Sequence, residues 1–399
     1  MLTYLYHALG SFRSVFSRHR TWLLFVMVVL GFMGATPLDG VSSFCRVWKL
    51  QTSGYLALLH FFRSSAWSLT GVLHCWGAFV LSQQHTVTVD GRAVLLSDHT
   101  MTAKDGRRMP GVVTLHQDSD TQSKPHSFRG HYCGAIGLLL GTFAHSFCLP
   151  LSLRLHQGFK PLRQGETSQA PKSLATRLVQ MARDFAREHH QPSLLVLDAF
   201  CSVAPVFQLT ASVGSVALKK LLGTIGVRAK KSSGAYVPAP RPEAPGPGRP
   251  CKYGDKVKLY EVFDHLHLFD TTRGQGDGAL EDVSYLGADL LWKPTGELIR
   301  FVFALTRRGP LVWMGSDLAM HPVMAIALYG VRVRGEPHGQ RLVPRCISTS
   351  LQVSENNSPA LTPVLNASTT IGYSSRFRLT RQATSKRSRS SSERKRTRP

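Results

Sequence analysis

The sequence predicts an α/β protein, a mixed sheet flanked by helices, with a helical region ahead of the sheet and a β-rich insertion inside it. Three observations carry this reading. Residues 1–82 place apolar and aromatic side chains at helical spacing, alternating and wholly apolar strand-like runs begin at Thr86, and a proline-rich break at Pro238–Pro250 (PAPRPEAPGPGRP) divides one group of strands from a second.

In chain order, Trp22–Met33 (WLLFVMVVLGFM) follows the basic residues Arg13, Arg18 and Arg20. A signal peptide or short anchor has this look. A spanning helix needs about 20 apolar residues, however, and this run stops at the turn-like ATPLDG. The expectation is a buried helix and no membrane partner. Leu56–Leu81 reads as two helices joined near Ser64–Ser68. This N-terminal region either binds DNA or only packs, and its residues favour neither.

From Thr86 the pattern is β. TVTVDGRAVLLSD holds two strands around Asp90-Gly91 and ends at Asp98. Gly111–Gln117 reads as a further strand, and His131–Gly158 as two apolar strands with a turn. Ser173–His190 carries Leu174, Leu178, Met181, Ala182 and Phe185 at helical spacing. Ser193–Leu197 (SLLVL) suits a central strand buried on both faces and ends at Asp198. Leu209–Gly223 is read as a helix. Tyr260–Asp270, Val283–Leu291, Glu297–Leu305 and Pro310–Gly315 make the insertion strand-rich. His321–Gly330 is a short helix starting near Asp317 or His321-Pro322. The divisions expected are 1–82, a core from 83–232, the insertion 233–315, a final core helix 316–336 and a non-core tail 337–399.

Composition narrows the partner. The 399 residues carry a formal net charge of +24, which favours a polyanion, either nucleic acid or an anionic membrane surface. The tail Arg376–Pro399 has ten Lys or Arg against Glu393, a net +9, leaving +15 on the rest. The body is therefore basic too. Seven scattered cysteines with no C-x-x-C pair argue against a zinc ribbon or a disulfide framework. His116, His131, His145 and His156 lack metal-ligand spacing and are expected at the surface or hydrogen-bonded.

A carboxylate ending a hairpin strand, then a helix, then a carboxylate ending a buried strand can bring two acids to one rim of a sheet. With a third acid from a later helix, such a rim can hold two divalent cations ~3.5–4 Å apart, which clamp the attacking and leaving oxygens of a phosphodiester. Oxygen donors suit hard Mg²⁺. Taken alone, acids at strand ends are a weak signal.

The surrounding residues sharpen it. LLSDHTMTAKDGRRMPGV (Leu95–Val112) resembles the segment around the first aspartate of insertion-sequence DDE transposases. VLDAFCS (Val196–Ser202) is similar to that family's second aspartate block. KYGDKVKLYEVF (Lys252–Phe263) and DLLWKPTGELIRFVFAL (Asp289–Leu305) resemble its strand-rich insertion. GSDLAMHPVMAIALYGVRVRGE (Gly315–Glu336) leads into a Y-x2-R-x3-E block of Tyr329, Arg332 and Glu336. The resemblance implies an RNase H-like core in which Asp98, Asp198 and Glu336 bind two Mg²⁺ or Mn²⁺ ions and catalyse DNA strand cleavage and transfer. It implies that Arg332 contacts a phosphate and that Tyr329 packs near the cleaved strand. It also implies a homodimer on paired DNA ends and a cytoplasmic, nucleoid-associated location. Lys104, Arg107 and Arg108, just after Asp98, are candidates for DNA phosphate contacts, with a solvated turn as the alternative.

After Glu336 the resemblance stops. Pro337 follows at once, and Val343 stands where the family has a basic residue. Residues 337–399 lack helical periodicity and read as a shifted frame or a truncated copy with a disordered tail. On this reading the fold core and both aspartates persist while competence for transposition is lost. The alternative function is a non-catalytic DNA-binding remnant.

Overall fold

A computed structural model describes residues 2–34, 43, 45–46, 48–83, 85–103, 111–116, 127–143, 145–156, 173–211, 224–229, 233–240, 251–275, 280–307 and 309–333. Among these, the helices are α1 (Leu2–Ser11), α2 (His19–Gly34), α3 (Thr52–Arg63), α4 (Leu69–Leu81), α5 (Leu174–Glu188), α6 (Ala204–Ala211) and α7 (Pro322–Val333). The strands are β1 (Thr88–Val89), β2 (Arg92–Ala103), β3 (Val113–His116), β4 (Ser127–Gly141), β5 (Ser146–Leu155), β6 (Ser193–Leu197) and β7 (Thr224–Arg228). They continue with β8 (Gly234–Pro238), β9 (Tyr253–Lys258), β10 (Asp270–Gln275), β11 (Leu280–Trp292), β12 (Glu297–Thr306) and β13 (Gly309–Gly315).

Local chemistry explains the key elements. Asp90 and Gly91 both have positive φ, 50° and 73°, the requirement of the tight hairpin turn that sets β1 against β2. Ser173 caps α5: its hydroxyl accepts from Thr176 N–H while the Thr176 hydroxyl accepts from Ser173 N–H, a reciprocal box. Every residue of β6 is buried, as a strand covered on both faces must be.

The strands form one sheet, and five of them make its core. β5 pairs antiparallel with β4, β4 antiparallel with β2, β2 parallel with β6, and β6 parallel with β7. The order β5-β4-β2-β6-β7 is the mixed arrangement expected of an RNase H-like core. Beyond β7 the same sheet continues antiparallel through β13, β12, β11, β8 and β9. The strands β8 to β13 therefore extend the core sheet edge to edge.

Alternation along the strands separates two cores. Ala93 and Leu95 of β2 and Leu195 and Leu197 of β6 face the cluster built by residues of α1 to α6. Val94, Leu96, Leu194 and Val196 face the cluster containing Ala325, Ile326, Leu328, Tyr329 and Val331 of α7. Each fully buried aliphatic side chain contributes about 2 kcal/mol. On the first face, Phe25, Val28, Val29 and Phe32 of α2 are buried in that protein core, as the buried-helix reading requires. Among the described residues no helix is long and apolar enough to cross a membrane.

Three sequence expectations need correction. β2 does not end at Asp98; it runs on to Ala103, because Thr100–Ala103 keep pairing with β4. Tyr260–Asp270 is not a strand but two 3-10 turns, Glu261–Asp264 and Leu266–Leu268. Phe263 packs there on Phe269 and Phe303, with ring centroids 5.6 and 6.0 Å away, and this aromatic anchoring outweighs the strand-like pattern. The helix expected over Leu209–Gly223 starts earlier, at Ala204, and its described part ends at Ala211.

Candidate active site at the carboxyl end of the parallel strand pair

β2 and β6 pair in register from Ala93↔Ser193 to Leu96↔Val196, a constant offset of 100 residues. Asp98 and Asp198 keep that offset, two residues beyond the last pair. Asp98 lies within β2, opposite Ala135 of β4. Asp198 directly follows β6 with extended backbone, φ −82° and ψ 168°, so the pleat continues through it. Both share parity with Val94, Leu96, Leu194 and Val196, which places them on the face covered by α7.

Their surroundings are fixed locally. Asp98 is only 8% exposed, and its Oδ1 accepts from the backbone N–H of His99 at 2.8 Å. The Asp198 Oδ1 accepts from Ala199 N–H at 2.6 Å and caps the 3-10 turn Ala199–Cys201. Beneath Asp98, the buried Ser97 hydroxyl donates to Ala135 O at 2.7 Å.

The opposite face of this strand end carries two histidines that spacing could not reveal. His99 packs against His156, Tyr132 and Phe200, with centroids 5.4, 5.0 and 5.9 Å away. Burial, reinforced by His156, lowers the His99 pKa to about 3. Burial, then Arg177 and Arg154, lowers that of His156 to about 4. Both rings therefore stay neutral near pH 7, and the Nε2 atom of each is buried without a hydrogen-bond partner. The expectation that His156 lies at the surface or is hydrogen-bonded through its ring is corrected for Nε2: the residue is 6% exposed. Its ring lies against Gly134, where a Cβ would come within 2.5 Å of His156 Nε2. That glycine is what lets the histidine tuck under β4.

The segment before α7 reaches the far end of the strand pair, while α7 itself starts over β11, where a Cβ on Gly287 would come within 2.7 Å of Pro322. Arg92, the first residue of β2, donates to Asp317 Oδ2 at 2.7 Å and to Asp90 Oδ2 at 2.8 Å. Arg300 of β12 donates to Met320 O at 3.0 Å, just before the helix. Tyr329 lies in the buried cluster under α7, on the same face as Asp98 and Asp198. Arg332 is on α7, but its side chain is not among those described. Glu336, Lys104, Arg107, Arg108 and the tail 337–399 lie outside the described residues.

The fold and this site define an α/β protein with a mixed sheet and two aspartates, one within β2 and one just past β6, beyond the last pair of their parallel register. The family model of the DDE superfamily endonuclease matches residues 12–267, well over half the chain, and the protein belongs to that family. The match stops before α7. A comparison with curated proteins gives no match. Among solved structures, the NurA nuclease from Sulfolobus solfataricus is similar at 8% identity over 72% of this chain and 85% of that chain, with a TM-score of 0.26. A likeness that weak carries no argument.

Proposed function

We propose that this chain is a transposase-type DNA strand-cleaving and strand-transferring enzyme whose site is built on Asp98 and Asp198, with Glu336 as the third acid. One observation supports the reading: the parallel register from Ala93↔Ser193 to Leu96↔Val196, carried on by two residues, would set Asp98 within β2 level with Asp198 just past β6, on one face. Adjacent strands are about 4.8 Å apart, close enough for two carboxylates to share cations.

The donor set fits hard divalent ions, since both groups offer oxygen only. DDE superfamily nucleases use divalent metal ions, and we assign two Mg²⁺ or Mn²⁺ here. Bound, they would supply positive charge to the attacking and leaving oxygens of a phosphodiester. The chain's own residues do the positioning. The backbone N–H of His99 and that of Ala199 each hold one oxygen of the neighbouring aspartate, which leaves the other oxygen's direction fixed by the same side-chain rotamer.

The third acid is our candidate by resemblance: Glu336 follows three residues after Val333, the last residue of α7, a helix whose buried residues lie in the cluster on the aspartate face of the sheet. Arg332 and Tyr329 on that helix, and Lys104, Arg107 and Arg108 after β2, are our candidates for DNA contacts. DNA as substrate is what the family suggests, and the basic body agrees with it. We further propose action as a homodimer on paired DNA ends in the cytoplasm.

A second reading, a DNA-binding remnant without catalysis, is favoured by Pro337. Proline directly after Glu336 removes a backbone donor where the helix would need to continue. Supercoiled plasmid DNA with Mn²⁺ separates the two. Nicking by the full chain that disappears in Asp98→Asn and in Asp198→Asn supports the enzyme. Binding without nicking supports the remnant, and nicking indifferent to both substitutions removes the aspartate site.

A further inference from the structure

The amino end of β6 carries a different cluster. α5 ends at Glu188, followed by His189, and the chain turns through His190 into β6. His74, on α4 of the N-terminal helical region, meets this corner. Its Nδ1 lies 2.8 Å from Glu188 Oε1, and its ring stacks on His189 with centroids 5.0 Å apart at 11°. One ligating atom from each of His74, Glu188 and His189 lies within 4.8 Å of the other two. β6 has five residues, about 16 Å of strand, so this corner is well removed from Asp198.

We infer that His74, Glu188 and His189 form a second cation site, selective for Zn²⁺-class ions, that clips α4 of the N-terminal region to the end of α5. Two imidazole nitrogens and one carboxylate oxygen suit a borderline ion that takes nitrogen and oxygen in a tetrahedral set, with water as the fourth ligand. They do not suit Mg²⁺, which prefers oxygen and keeps its waters. The two proposed metal sites therefore differ in chemistry as well as in place.

Geometry makes the corner adaptable at one side and fixed at the other. Ligands about 2.0–2.1 Å from zinc lie roughly 3.4 Å from one another in a tetrahedron. His74 and Glu188 have side chains 51% and 38% exposed, free to close the remaining distance. His189 is the fixed member. It packs on Phe185 at 4.7 Å and against Gly77, where a Cβ would come within 2.4 Å of its Nε2. An ion here would join α4 to the end of α5, whereas the hydrogen bond from Trp76 Nε1 to Pro150 O at 2.8 Å ties α4 to β5.

The test uses the full chain carrying Asp98→Asn and Asp198→Asn, so that the aspartate end contributes nothing. Zn²⁺ alone is titrated by calorimetry and thermal unfolding. The expected result is one equivalent bound and a raised unfolding temperature. His74→Gln and Glu188→Gln, both at exposed positions and checked by circular dichroism, should each weaken binding about tenfold or more, the range already seen when a ligand's supporting partner is lost. Absence of binding in the starting chain overturns the site, as does unchanged affinity in either variant.

Discussion

The two ends of the β2–β6 pair divide the work of the molecule. At the amino end the groups are tied together: Arg92 to Asp317 and Asp90, and His74 to Glu188. At the carboxyl end Asp98 and Asp198 lie beyond the last register pair on one face while two neutral histidines fill the other. Burying carboxylates close together costs stability unless a cation or donor compensates. A sheet can bear that cost at one rim when the other is clamped. The lesson is a separation of clamping from chemistry, and substitutions at the two ends should behave differently.

The largest stability effect belongs to the clamp. Arg92 and Asp317 have side chains 17% and 16% exposed, so Arg92→Ala leaves a mostly buried carboxylate without its cation. Urea denaturation should show a loss of about 3 kcal/mol. A loss below about 1 kcal/mol would deny that this end holds the sheet. Next comes Gly226→Ala on β7, where a Cβ would sit 2.2 Å from the ring of the fully buried Trp313. Overpacking of this kind costs roughly 1–3 kcal/mol, readable as a lower denaturation midpoint at unchanged slope.

A change of pH, apart from any substitution, tests the histidine face. His99 and His156 have folded pKa values of about 3 and 4, below the value of about 6.5 in an unfolded chain. As pH falls below about 6.5 the unfolded state takes up protons that the folded state refuses, so stability drops toward pH 4. The slope is up to about 1.4 kcal/mol per pH unit for each histidine. His99→Gln should flatten it, and an unchanged slope would mean that this ring titrates normally. Smallest is Asp98→Asn. The amide oxygen can still accept from His99 N–H, so metal-free stability should change by less than about 1 kcal/mol. A large loss in the melting curve would make Asp98 a structural residue like those at the clamp.

Much of this was legible in the chain. The hairpin turn, the helix capped at Ser173 and the apolar SLLVL strand all announced themselves through local residue chemistry, and the motif around Asp98 and Asp198 pointed to the DDE family and to the aspartates proposed as its site. What stayed hidden depends on contacts distant in sequence. The extension of β2 past Asp98 exists only because β4 continues to pair with it. His99 and His156 are far apart along the chain and meet because β2, β4 and β5 lie side by side with a glycine at the crossing. The misread segment Tyr260–Asp270 had a strand's alternation, but its phenylalanines anchor to β12 and bend it into turns. His74, Glu188 and His189 come from two helices that packing alone brings together.

Iron-mediated cleavage tests the central idea most directly. Fe²⁺, exchanged for Mg²⁺ and driven with ascorbate and peroxide, cuts the backbone beside whatever holds it. Two protein cuts are predicted, one near residue 98 and one near 198, and both should vanish in Asp98→Asn and again in Asp198→Asn. Fragments from near 74 and 188 belong to the other corner and do not bear on this. A cut near one aspartate that survives loss of the other would contradict a shared ion.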